Sequence, residues 1–139
     1  MRYYLVVAFL FSTIILYAQP GSARLIVRAD DMGFSHSGNA AAIKTYKEGI
    51  VRSVEVLVPS PWFPEAVQLL KENPGVDVGI HLTLTSEWDN VKWRPVSDCS
   101  SLKDTDGYFY PMIWPNKNYP NRALLQHKWT LGDIEKEFR

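Results

Sequence analysis

An acidic pair and one imidazole are the groups in this chain best suited to chemistry. Asp30-Asp31 follows the apolar run Leu25-Ile26-Val27, and His81 lies near the end of the run from Val76 to Leu84. Both runs read as strands. In a parallel α/β sheet the loops after the strand C-termini converge on one face, and reactive groups gather there. Strand-end placement therefore brings groups about fifty positions apart toward a common point. A carboxylate with an imidazole suits a catalytic divalent metal, which needs three protein ligands and an open position for water. Adjacent aspartates on a bend can point in different directions, so one can bind a cation while its neighbour takes a proton. Spacing alone leaves other roles open. An Asp-Asp pair after a strand also bonds turn amides or faces the next helix N-terminus, and a lone histidine at a strand end also serves as a hydrogen-bonded, partly buried residue.

The segments that must position these groups alternate between strand and helix. After the first strand, Gly33 marks a loop, and Ser37 is a candidate cap for a helix running to Glu48 with Ile43 and Tyr46 inward and Gly49 at its end. Ser53 to Val58 reads as the second strand, stopped by Pro59. Ser60-Pro61 then opens a second helix, with Phe63, Ala66, Val67 and Leu70 as its buried stripe. Asn73-Pro74-Gly75 ends that helix. Val76 to Leu84 follows as the third strand, with Ile80, Leu82 and Leu84 alternating against His81, Thr83 and Thr85. This order predicts an α/β fold with parallel strands and right-handed crossovers. From Ser86 to Lys128 the texture is irregular, rich in proline and tryptophan, and a loop so long inside a compact domain is often functional. Within it, Asp106-Gly107 before Tyr108-Phe109-Tyr110 predicts a tight turn. Thr130 with Asp133 predicts a last helix from Leu131 to Arg139.

Bulk properties narrow the function classes. With 15 basic and 15 acidic residues the net charge is zero, which argues against nucleic-acid binding and against docking on anionic lipid. Arg2 and the apolar stretch from Leu5 to Ala18 are too short for a comfortable span and fit a secretory signal at residues 1–18, possibly to 23. An uncleaved anchor is the other reading of that segment. Either way the domain, residues 24–139, is exported, to the periplasm or outside the cell, and after cleavage no stable membrane association is expected. Cys99 is the only cysteine, so no internal disulfide forms and stability must come from a packed core.

The segment Arg28-Ala29-Asp30-Asp31-Met32-Gly33, with Asn39 in the following helix, the run Gly49-Ile50-Val51-Arg52-Ser53 and the run Val78-Gly79-Ile80-His81-Leu82-Thr83-Leu84-Thr85 resemble the YdjC-type carbohydrate deacetylases. The stretch from Ser101-Leu102 to Asp106-Gly107-Tyr108-Phe109 resembles them too. The resemblance covers most of the chain after the signal. It implies that Asp30 is the catalytic proton acceptor and that Asp31 and His81 are metal ligands. It implies Mg2+ as the metal, with Zn2+ compatible on ligand chemistry. The substrate it implies is an N-acetylated carbohydrate.

The third ligand of that family is a histidine from a later histidine-rich motif that nothing here matches, so it is expected beyond residue 139. His127 is expected at the surface. A complete βα barrel needs about 250 residues. The expected fold is therefore an incomplete TIM-like (βα) barrel, its N-terminal half, truncated at the C-terminus. His36, Trp93 and Arg94 are candidate substrate contacts, with Trp88 near them, because aromatics stack on sugar rings and arginine bonds hydroxyls. Packing of the tryptophans under the long loop is the competing role. A non-catalytic carbohydrate-binding relative of the same fold is the alternative function.

Overall fold

A computed structural model describes residues 24–139, so the predicted signal segment lies outside the described residues. Strand β1 (Val27–Met32), helix α1 (His36–Glu48), strand β2 (Val51–Val56), helix α2 (Phe63–Glu72) and strand β3 (Asp77–Ile80) follow one another, and helix α3 (Leu131–Phe138) closes the described chain. The strands form a parallel sheet in the order β1-β2-β3. This is the α/β architecture expected from the alternating pattern, and it is consistent with part of a TIM-like barrel. Among the described residues no helix is long and apolar enough to cross a membrane.

Several boundaries move, each for a hydrogen-bonding reason. β1 does not stop before the aspartates: its ladder with β2 continues to the pair Met32–Val56, so Asp30 and Asp31 lie inside the strand end. β2 starts at Val51, where pairing with Val27 begins, and not at Ser53. β3 ends at Ile80, paired with the last residue of β2, and only the His81 N–H continues the ladder, to the Val56 carbonyl. The cap of α1 is Ser35, whose hydroxyl accepts the Gly38 N–H at 3.0 Å, so Ser37 falls in the first turn. Ser60 does not cap α2, because its hydroxyl is buried and donates to the Leu57 carbonyl. Trp62 takes the cap position without a side-chain bond.

Two apolar clusters hold the chain together. Met32, Ala42, Ile43, Val51, Val54, Ala66 and Val76 pack between the sheet and the two helices. Of the stripe predicted on α2, only Ala66 is buried. Phe63, Val67 and Leu70 instead line an open groove of about 400 Å³ with Val56, Val78 and Ile80. The second cluster lies under the long irregular segment and is built from Leu57, Trp93, Cys99, Leu102, Phe109 and Leu124. The predicted turn is present there: the Gly107 N–H bonds the Asp104 carbonyl, Gly107 has a φ of 84°, and Lys103 pairs antiparallel with Phe109. At the end of the chain, the Thr130 hydroxyl accepts the Asp133 N–H and caps α3 as expected.

Candidate active site

The ladder between β1 and β2 carries an extra residue where the aspartates stand. Ala29 pairs with Val54 and Met32 with Val56, so three steps on β1 match two on β2. This is a β-bulge, in which two residues oppose one and the strand bends. Val27, Ala29 and Met32 pack against the sheet–helix core. Simple alternation would turn Asp31 toward that core as well, because successive side chains of a strand point to opposite faces. The bulge prevents this. Asp31 has a φ of 57°, the left-handed region that aspartate tolerates better than most residues. Both aspartates therefore leave the apolar face.

Strand β3 delivers His81 to the same place. Val78 and Ile80 face α2 across the groove, so alternation puts Gly79 and His81 on the opposite face. The His81 Nδ1 lies 2.9 Å from the Asp31 Oδ1. The two atoms stand at ion-pair distance, yet Nδ1 is buried and makes no hydrogen bond. A buried ring nitrogen without a partner is costly unless something else fills its coordination. Two donors 2.9 Å apart can share one cation at bond lengths of about 2.1 Å. Asp31 and His81 thus fit a divalent ion. Among the described residues no third His, Cys, Asp or Glu completes the set.

The turn after β1 is held by Asn39, which is fully buried on the inner face of α1 with Ala42 and Ile43. Its Oδ1 accepts the Gly33 N–H at 2.6 Å. Its Nδ2 donates to the Trp62 carbonyl and to the Glu65 Oε2. Gly33 has a φ of 107°, and a Cβ there would meet the Ser60 Oγ at 2.6 Å, so only glycine fits without strain. The roles of Glu65 and Trp62 were not legible in the sequence. An asparagine within the Gly38-Asn39-Ala40-Ala41-Ala42 run is the one signal that pointed to them.

The predicted substrate contacts separate. Trp93 is 6% exposed, packs in the second cluster and donates its indole N–H to the Thr85 carbonyl, so it is not free to stack on a sugar. Its large apolar ring is what seals the long segment onto the sheet, and the packing role replaces the sugar-binding one. Arg94 stays accessible, stacked over the Tyr108 ring at 4.3 Å. It lines a cavity of about 490 Å³ that shares Val58, Pro59 and Val96 with the cleft of about 250 Å³ containing His81. His36 begins α1, with its Nδ1 2.6 Å from the Glu65 Oε1. That bond first, and the Asn39 bond second, hold the Glu65 carboxyl below the usual range. Trp88 is exposed and tilts against Phe34. His127 stacks on Tyr110 at 4.3 Å, with its Nε2 at the Asn121 carbonyl.

The family model described as YdjC-like protein matches residues 24–139. A carbohydrate deacetylase of Listeria monocytogenes is 47% identical over 115 residues, covering 82% of this chain and 42% of the relative. A carbohydrate deacetylase of Vibrio cholerae is 31% identical over 103 residues, covering 73% and 38% respectively. Among solved structures, a protein of Enterococcus faecalis described as a cellobiose-phosphate cleavage protein matches with a TM-score of 0.63 and 26% identity, over 84% of this chain and 41% of its own. The chain thus spans about two fifths of the length of the relatives it matches. With a sequence match that runs through the bulge, the Asn39 anchor and His81, this chain belongs to the YdjC-like family.

Proposed function

We propose that the protein is a metal-dependent carbohydrate N-deacetylase, which hydrolyses the acetamide of an N-acetylated sugar to acetate and a sugar amine. The observation that carries the reading is the pair Asp31 Oδ1 and His81 Nδ1, 2.9 Å apart, with the ring nitrogen buried and unbonded. The names of the curated relatives support the reaction and the substrate class. Asp31 and His81 are the residues that would hold the ion, Mg2+ or Zn2+. When bound, the ion supplies Lewis-acid polarisation of the acetamide carbonyl and of the attacking water. Asp30, on the same bulge, takes the proton of that water on its carboxylate. Arg94 bonds substrate hydroxyls from the neighbouring cavity. In a complete barrel of this type, the edge of β3 and the groove beside α2 would be covered by further βα units.

The test is acetate release from N-acetylglucosamine and its β-1,4 oligomers by the full-length protein, after chelation and after return of Mg2+ or Zn2+. Release restored by metal is the expected result. No release with metal bound would overturn the reading, and metal-independent sugar binding without turnover would favour a purely binding relative. The apolar segment before residue 18 supports export. Sequencing the mature N-terminus tests that, with cleavage after Ala18 or Ala23 expected.

A further inference from the structure

A second cluster stands where the N-termini of α1 and α2 meet. His36 is the first residue of α1, Trp62 precedes α2, and Glu65 lies in its first turn. The imidazole and indole centroids are 5.5 Å apart with planes inclined at 46°, so the two rings form an open wedge. Trp62 is 44% exposed, although a large apolar ring gains by burial. Both Glu65 oxygens are committed, one to the His36 Nδ1 and the other to the Asn39 amide. The ring orientation of His36 is therefore set from inside the protein, and its Nε2 is the outward polar atom, without a hydrogen bond among the described residues.

We propose that Trp62 and His36 form an outer subsite for an uncharged sugar unit attached to the one that reacts. The proposal rests on the deacetylase reading for its substrate class. A sugar ring has an apolar face and a rim of hydroxyls, and this wedge offers an aromatic face beside one fixed hydrogen-bonding nitrogen. The Glu65 carboxylate beside it disfavours an anionic unit such as a phosphorylated or carboxylated ring. The subsite is tied to the reacting centre. Asn39 links Glu65 to the Gly33 amide, two residues after Asp31. His36 stands five positions after Asp31, so at about 3.5 Å per residue their Cα atoms lie within about 18 Å. A short oligosaccharide can cover any distance up to that limit.

The experiment is calorimetric titration of the full-length protein, with metal chelated, using N-acetylglucosamine and its β-1,4 trimer. The wild type is expected to prefer the trimer. Trp62→Ala should weaken trimer binding about three- to tenfold, Trp62→Phe should restore it, and His36→Gln should lie between. No trimer preference in the wild type overturns the subsite. Equal trimer affinity of Trp62→Ala and wild type also overturns it. So does parallel loss in Trp62→Ala and Trp62→Phe with a lowered melting temperature, because that marks a packing role. Trimer preference that depends on Trp62 without acetate release upholds the subsite and sinks deacetylation. Acetate release without Trp62 dependence does the reverse.

Discussion

The side-chain oxygen of Asn39 accepts the backbone N–H of Gly33 at 2.6 Å, and the same amide group reaches Glu65 and the Trp62 carbonyl. One buried residue of α1 thereby sets the turn that follows Asp31 and joins it to the start of α2. Asn39→Ala would leave the Gly33 N–H unpaired in the interior, while the Trp62 carbonyl would keep the Ala66 N–H. The expected cost is about 1–3 kcal/mol, read as a lower urea midpoint with unchanged slope, and on the proposed function acetate release should fall with it.

Gly33→Ala tests the turn from the other side. The positive φ and the 2.6 Å approach to the Ser60 Oγ both oppose a Cβ, so a loss of about 1–3 kcal/mol is expected. Adding Ser60→Ala should recover part of it, since that removes the contact but not the backbone strain. Complete recovery would mean that the conformation of Gly33 matters little.

The metal reading predicts a separation of binding from stability. Asp31→Asn and His81→Ala should each weaken binding of Mg2+ or Zn2+ at least about 100-fold, with activity lost in step. The melting temperature of the metal-free protein should not fall, because Asp31 is exposed and Nδ1 of His81 is unbonded there. Metal titration beside thermal melts checks both halves.

The docking of α3 should depend on acid. Asp133 lies below its usual value because of the Ser101 hydroxyl and then the Ser101 amide. A carboxyl whose folded value is depressed stabilises fully above its unfolded value of 3.8 and loses that contribution as pH falls through the folded value. Hydrogen exchange at the Ser101 amide should therefore speed up, relative to its intrinsic rate, below about pH 4. Asp133→Asn should abolish that acid-dependent change.

Cys99 should be inert in the native protein. Its thiol is buried in the second cluster, and burial, more than the neighbouring Glu137 carboxylate, pushes its ionisation up. A thiol reagent at neutral pH should label it slowly in buffer and fully in denaturant. Rapid native labelling would mean that the segment around Ser97 opens readily.

Much of this protein is written in local pattern. The alternation of apolar runs with capped helical stretches, the Asp106-Gly107 turn and the Thr130 cap depend on neighbours in sequence, and each forms as its residues dictate. The acidic pair and His81 were legible as candidates for the same reason, since residue type and strand position are sequence properties. Which way these groups turn depends instead on how the strands and helices assemble. The bulge exists because the register of β1 on β2 slips by one residue, and no count along the chain reveals a slip between two strands. The same holds for Trp93, which the sequence leaves between sugar contact and packing and which becomes a core residue once Leu102, Phe109 and Leu124 close over it. Glu65 and Trp62 gained their places beside His36 through packing of α2 on α1, across a sequence gap that periodicity cannot bridge. Short-range hydrogen bonding and apolar spacing are encoded residue by residue, whereas the orientation of polar groups at a strand end follows from how separate elements register against one another.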